Sequence, residues 1–226
     1  MPSIKTQFIM VDKIIVQRNE GVLEITLNNP AKLNCMGIEM LQALDKAIET
    51  AEKDHSVRIV LIKGAGERAF STGADLNEYR SLSPEEISNW LEYGIAIFNR
   101  IEKLPKPTVA MINGFAMGGG LELALSCDFR MGTSSAIISS PELQHGWLPG
   151  WGGMTRLRRL IGEAKAKEVV MLNEKIPAIQ AMNLGILTRV LTSGQENQEL
   201  EAFLKHLSGI EPAVFALAKE ELTEAT

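Results

Sequence analysis

The spacing of apolar positions changes several times along this 226-residue chain, and each change predicts an element. "KIIVQ" and "VLEITLN" (Val22 to Asn28) are apolar, β-branched runs separated by "RNEG", which predicts a hairpin. From Gly37 to Asp54 the repeat lengthens: Ile38, Leu41, Leu44, Ile48 and Ala51 recur at helical spacing, and "RIVLIKG" (Arg58 to Gly64) then reads as a buried strand. In "SLSPEEISNWLEYGIAIFNRIEKL", Ser83 and Glu86 form a capping box with Pro84 at the first helical position, so a helix should start there. "PTVAMIN" (Pro107 to Asn113) is the next strand; glycines end it, and "LELALS" opens a short helix. "DFRMGTSSAIIS" reads as a further strand. From Gly152 the pattern is mostly helical, through "TRLRRLIG", "AKAKEVVMLN", "PAIQAMNLG" and an amphipathic tail from Gln195 to Ala225. The strand, turn, helix alternation, with no internal repeat, gives an α/β fold with a helical C-terminal part.

Composition narrows the class. An apolar content of 45% suits one large buried core or a core plus an appendage. The formal charge of −5, without a basic block, excludes a general electrostatic footprint for nucleic acid, so an anionic ligand must be met locally. Cys35 and Cys127 stand apart in apolar contexts, unlike a disulfide framework or a CxxC metal site, and fit a reducing compartment. The stretch "MPSIKTQFIMVDKIIVQRNE" has charges throughout, and nowhere do about 18 apolar residues run together. The expectation is a cytoplasmic protein with no membrane span.

The chemistry concentrates in two glycine-rich turns. Gly118, Gly119 and Gly120 are followed by Glu122, an acid in a run otherwise of Leu and Ala, where an unpaired charge is costly. A strand entering such a turn before a helix leaves free N–H groups at a positive helix end, with no Cβ to block approach. "RIVLIKGAGERAFSTGADL" has the same design, with Gly64, Gly66 and Gly73. Gly64-Ala65-Gly66 opens like a dinucleotide fingerprint, but Ala69 stands where its third glycine belongs and no helix opens there. As a pair, the two turns can each supply one N–H to the same oxygen, an oxyanion hole; taken singly, each reads as a tight turn. Glu142, in the Pro- and Gly-rich "SSPELQHGWLPGWGG", lies far enough beyond Glu122 for a short helix and a strand to bring both acids to one end of the core. Two carboxylates facing one small volume can divide into an acid and a base; the alternative is a helix-surface acid and a loop acid.

These residues resemble the enoyl-CoA hydratase/isomerase (crotonase) superfamily from about Ile14 to Ala218. "AFSTGADL" (Ala69 to Leu76), "NGFAMGGGLELALSCD" (Asn113 to Asp128) and "PELQHGWLPGWGGMTRL" (Pro141 to Leu157) are similar to its three main motifs, in order and at its spacing. The resemblance implies a crotonase-like ββα spiral core over residues 1–190 and a C-terminal helical segment over 191–226, shorter than usual. It also implies a coenzyme A thioester substrate and trimers or dimers of trimers, with the C-terminal apolar stripe Leu200, Phe203, Leu204 and Leu207 seeking a partner surface. It places the thioester oxygen on the N–H groups of Ala74 and Gly119, and matches Glu122 and Glu142 to the two acids of hydratase members. Ala31, Lys32 and Leu33 of "NNPAKLN" resemble the early CoA-contacting loop, Lys32 reading equally as a solvated surface charge. Phe70, Ser71, Gly73, Ala74, Asp75 and Leu76 are expected to line the adenine and pantetheine by backbone contact. Trp90, Trp147, Leu148 and Trp151 are expected either to wall the acyl pocket or to pack in the core, and His145 to be a loop histidine without a catalytic role.

No cofactor beyond the substrate's own coenzyme A and no metal is expected, because His55, His145 and His206 lack ligand spacing. Hydration of a 2-enoyl-CoA is the first reading, since water addition needs both acids. Double-bond isomerisation through one acid is the second, and a non-catalytic binding subunit the third. An acyl carrier protein is the alternative carrier.

Overall fold

The computed structural model describes residues 9–11 and 13–224; Met1 to Phe8, Asp12, Ala225 and Thr226, and with them much of the N-terminal stretch read above, lie outside the described residues. The expected hairpin is present: β2 (Ile14–Asn19) runs antiparallel to β3 (Val22–Leu27), turning at Glu20 and Gly21, both with positive φ. β1 (Ile9–Val11) adds an edge strand beside β2. Helix α1 (Ile38–Lys53) follows and leads to β4 (Ile59–Gly64), which joins β3 in parallel.

From β4 onward one ββα unit recurs. β4 leads to β5 (Ala69–Ser71) and α2 (Leu76–Tyr79). After α3 (Pro84–Lys103), β6 (Thr108–Ile112) leads to β7 (Phe115–Met117) and α4 (Gly119–Ser126). β8 (Phe129–Gly132) and β9 (Ile137–Ser139) then lead to a 3₁₀ turn over Glu142–His145. The first strand of each pair enters one sheet and the second enters another, which makes the spiral. With β10 (Ile176–Pro177) and β11 (Arg189–Val190), the large sheet runs β1-β2-β3-β4-β6-β8-β11 and the small one β10-β9-β7-β5.

Two details of the sequence reading change. The strand entering Gly118 is β7 of the small sheet, not "PTVAMIN", because the chain turns at Asn113 and Gly114 and changes sheets. "DFRMGTSSAIIS" likewise divides into β8 and β9. The capping box of α3 forms as read: Ser83 Oγ accepts from Glu86 N, and Glu86 Oε2 accepts from Ser83 N at 2.7 Å.

The C-terminal part comprises α5 (Gly153–Lys167), a wider helical turn over Glu168–Leu172, α6 (Ala178–Asn183), α7 (Glu196–Ser208) and α8 (Pro212–Glu224). The parallel strands β4, β6 and β8 of the large sheet are mostly buried on both faces, as parallel sheets require. Ile59, Leu61, Val109, Met111 and Met131 form its outer face, and α7 covers that face with Phe203 and Leu207. Leu200 and Leu204 pack there too. The stripe expected to seek a partner surface is therefore satisfied within the chain, at about 1.5–3 kcal/mol for each fully buried large side chain. Among the described residues no helix is long and apolar enough to cross a membrane.

Candidate active site

The two glycine turns meet. Gly73 has φ +89°, and a Cβ added to it would lie 2.6 Å from Gly119 N and 2.9 Å from Met117 O, so only glycine serves this crossing. Met36 fixes the first turn: its N–H donates to Gly73 O at 2.7 Å and its carbonyl accepts from Asp75 N at 3.1 Å. Ala74 N, between those bonds, has no protein acceptor among the described residues. Gly118 (φ +54°) leads into α4, where Gly119 N is the first helical N–H and likewise lacks an acceptor. Two N–H groups from different turns are thereby left open at adjacent positions.

Glu122, in the first turn of α4, is only 4% exposed. Its Oε1 accepts from Trp151 N and Gly153 N, each at 2.8 Å, and its Oε2 has no partner among the described residues. Burial pushes this carboxyl up to about 7, aided by the Glu142 charge and opposed by the two N–H donors and Arg156. Glu142 opens the 3₁₀ turn opposite. Its Oε2 accepts from Ser140 Oγ at 2.8 Å, while its buried Oε1 has no partner among the described residues and would lie 3.4 Å from a Cβ at Gly118. Burial also raises the Glu142 carboxyl, with Ser140 and His145 opposing. A cavity of about 10 Å³ beside Glu122, bordered by Gly118, Ser140, Pro149 and Gly153, is about the size that holds one water.

The structure thus brings Ala74, Gly119, Glu122 and Glu142 together around Gly118. The other expected residues divide. Phe70 and Ser71 are fully buried; Ser71 Oγ donates to Asn34 O and accepts from Gly73 N, so both build the turn from within and offer a ligand no surface. Lys32 Nζ is paired with Asp75 at 2.8 Å, and Asp75 caps α2 by accepting from Asn77 N and Glu78 N. Beside that pair opens a cavity of about 250 Å³ bordered by Lys13, Asn29, Lys32, Cys35, Asp75 and Glu78. Ala31 is exposed, while Leu33 and Leu76 are half-buried. Trp90 and Trp151 are core residues, with ring centres 4.6 Å apart. Trp147 is half-buried against Tyr79, His145 is exposed, and Leu148 is 66% exposed.

Ser140, Arg156, Lys13 and the N–H groups of Trp151 and Gly153 join the site without having been read from the sequence. Arg156 Nη1 donates to Trp151 O at 2.7 Å, holding the turn whose N–H groups grip Glu122. Glycines at 152 and 153 were the one sequence signal of that grip: a Cβ at Gly153 would lie 2.9 Å from Glu122 Oε1.

Known proteins resemble this chain over most of its length. The family described as enoyl-CoA hydratase/isomerase matches residues 17–226. A probable mitochondrial enoyl-CoA hydratase 2 from Arabidopsis thaliana is 35% identical over 206 residues, 91% of this chain and 68% of that protein. The short-chain-enoyl-CoA hydratase of Clostridium acetobutylicum is 32% identical over 212 residues, 94% of this chain and 81% of that protein. A crystal structure of an enoyl-CoA hydratase from Bacillus anthracis superposes with a TM-score of 0.90 at 32% identity, covering 94% of this chain and 83% of that one. The chain belongs to the enoyl-CoA hydratase/isomerase family.

Proposed function

We propose that this protein reversibly adds water to the double bond of a 2-enoyl-CoA thioester. One observation carries the reading: two buried carboxyls, both raised by burial, stand on either side of a glycine turn that presents an open N–H. A thioester draws electrons only weakly from its double bond, so its oxygen must be stabilised as enolate charge develops. Ala74 N and Gly119 N supply that stabilisation, at about 2.7–4 kcal/mol per donor in comparable sites.

Glu122 acts through Oε2, because its Oε1 is held by two N–H groups. The water oxygen bonds to the β-carbon and its proton passes to Glu122. The π electrons move to the α-carbon, which takes the proton carried by Glu142; the roles reverse for dehydration. Burial raises both carboxyls above their ordinary range, which favours keeping a proton on one of them. The coenzyme A phosphates, in this reading, lie toward Lys13 and Lys32, with Lys32 released from or sharing Asp75.

For assembly the reading is a trimer or a dimer of trimers. Its support is exposed apolar surface at Met171, Leu172, Ile179 and Leu217, rather than the α7 stripe.

The test is a panel of short, long and branched 2-enoyl and 3-enoyl thioesters followed by mass. Gain of one water on a 2-enoyl substrate supports the proposal. Conversion of 3-enoyl to 2-enoyl thioester at constant mass, with no water added to any 2-enoyl substrate, establishes isomerisation instead.

A further inference from the structure

Trp151 belongs to no reacting group, yet both halves of the site rest on it. Its main-chain N–H donates to Glu122 Oε1 at 2.8 Å, and its carbonyl accepts from the buried Arg156. Its side chain extends the other way, beneath the oxyanion turn: a Cβ at Gly119 would overlap Cζ3 of the indole and lie 2.6 Å from Cε3. One residue thus contacts the helix start that bears Gly119 N and the carboxylate proposed to activate water.

The indole is itself seated in a slot on α3. Trp90, Gly94 and Phe98 follow at intervals of four, one face of that helix. Trp90 and Phe98 meet the indole edge-on, with ring centres 4.6 and 5.3 Å away, and Gly94 lies between them. A Cβ at Gly94 would overlap Nε1 and lie 2.6 Å from Cδ1. The slot is closed enough that Trp151 is 2% exposed and its Nε1–H has no acceptor among the described residues. Leaving a buried donor unpaired is costly, typically about 1–3 kcal/mol, so hydrogen bonding does not account for an indole here. The ring's shape does: it fills the distance from the floor of α3 to the underside of Gly119.

We propose that Trp151 is the positioning residue of this site, its indole, seated on Gly94, holding Gly119 N and Glu122 in one fixed relation. The inference rests on the proposed reaction for its kinetic consequence, but not for its geometry. Misplacement of reacting groups by about 1 Å can lower a rate about 100-fold, so small movements of the ring should be visible in turnover.

The experiment perturbs the ring from outside the site. Gly94→Ala should push the indole toward Gly119 and lower kcat about 10- to 100-fold, with KM nearly unchanged. Trp151→Phe keeps the main-chain N–H but removes the far ring, and should lower kcat about tenfold. The added methyl acts on Gly119 only through the outer edge of the ring, which Phe lacks, so the two losses should combine non-additively in the double variant, which independent structural damage does not produce.

An activity-independent reading accompanies it. The Trp151 and Gly153 amide NMR signals should follow ionisation of Glu122, whose other charged neighbours are Glu142 and Arg156. Loosening the turn weakens two donors to the carboxylate, so the midpoint should rise in Gly94→Ala and in Trp151→Phe. Multiplying losses in the double variant, wild-type kcat in Trp151→Phe, or an unmoved midpoint in both single variants would each overturn the proposal. If Gly94→Ala does not fold, Trp151→Phe carries both readouts. If the wild-type chain adds water to no 2-enoyl thioester, the proposed function fails while the amide midpoints still decide the role of Trp151.

Discussion

Replacing Glu122 by Gln should make the protein less active and more stable, and the gain should depend on pH. Glu122 titrates at about 7 in the fold against an ordinary 4.5, chiefly because burial disfavours its charge. At about 1.4 kcal/mol per pH unit, this gap is worth about 3 kcal/mol of destabilisation once the group is ionised. The sign follows from proton counting. Between pH 4.5 and about 7 the folded chain holds more protons at this site than the unfolded chain, so its contribution to stability falls as pH rises through that window. Above the window the penalty is complete; below it the penalty is absent. Glutamine keeps an oxygen for Trp151 N and Gly153 N and puts an uncharged amide nitrogen in place of Oε2. At pH 8 the variant should therefore melt higher by up to about 6–12 °C, the equivalent of about 3 kcal/mol in a chain of this size. Near pH 5 the two melting temperatures should converge. Calorimetry across that range is the assay. A variant no more stable than wild type at pH 8, or a gain that persists unchanged at pH 5, would show that burial of the Glu122 charge does not govern this site.

Turnover should fall by about 10² to 10⁴ in Glu142→Gln and in Glu122→Gln, measured by loss of conjugated absorbance; full activity in either removes that residue from the chemistry. Ala74→Pro, which deletes one of the two proposed oxyanion donors, should lower kcat about 100-fold or more, while a crystal of an acyl-CoA complex with the thioester oxygen far from both nitrogens would contradict the assignment. The hydration rate should rise with pH through about 7 as Glu122 ionises, and the dehydration rate should fall through the same region, because the reverse reaction needs Glu122 protonated; a profile flat across it would exclude Glu122 as the titrating base. Sedimentation should give a trimer or a multiple of it, and a stable monomer at micromolar concentration would refute the proposed assembly.

What the sequence disclosed is what local chemistry determines. The β2–β3 hairpin and the start of α3 were legible because a turn and a capping box are written in consecutive residues. The stranded acid Glu122 was legible because a carboxylate among Leu and Ala requires a reason. Its partners were not, since Trp151 N and Gly153 N lie 29 and 31 residues further on and donate through the main chain, which carries no side-chain signature. The three-residue strands β5, β7 and β9 escaped for a similar reason: each is too short to show a period, and pairing with the others defines it. Apolar spacing revealed the stripe of α7 but not what it faces; only the alternation of Ile59, Leu61, Val109 and Met111 on the outer sheet face supplies that surface. Phe70 and Ser71 carried a family motif whose structural share, the inside of the first turn, was indistinguishable in sequence from a ligand contact.

The most direct measurement incubates the wild-type chain, Glu122→Gln and Glu142→Gln with crotonyl-CoA in heavy-oxygen water and follows the thioester by mass. Two acids working on one water predict a product heavier by that labelled water, formed rapidly by wild type and about 10² to 10⁴ times more slowly by each variant. Absence of the label from crotonyl-CoA and from every other 2-enoyl thioester, with a 3-enoyl substrate converted at constant mass and Glu122→Gln still active on it, would contradict the account.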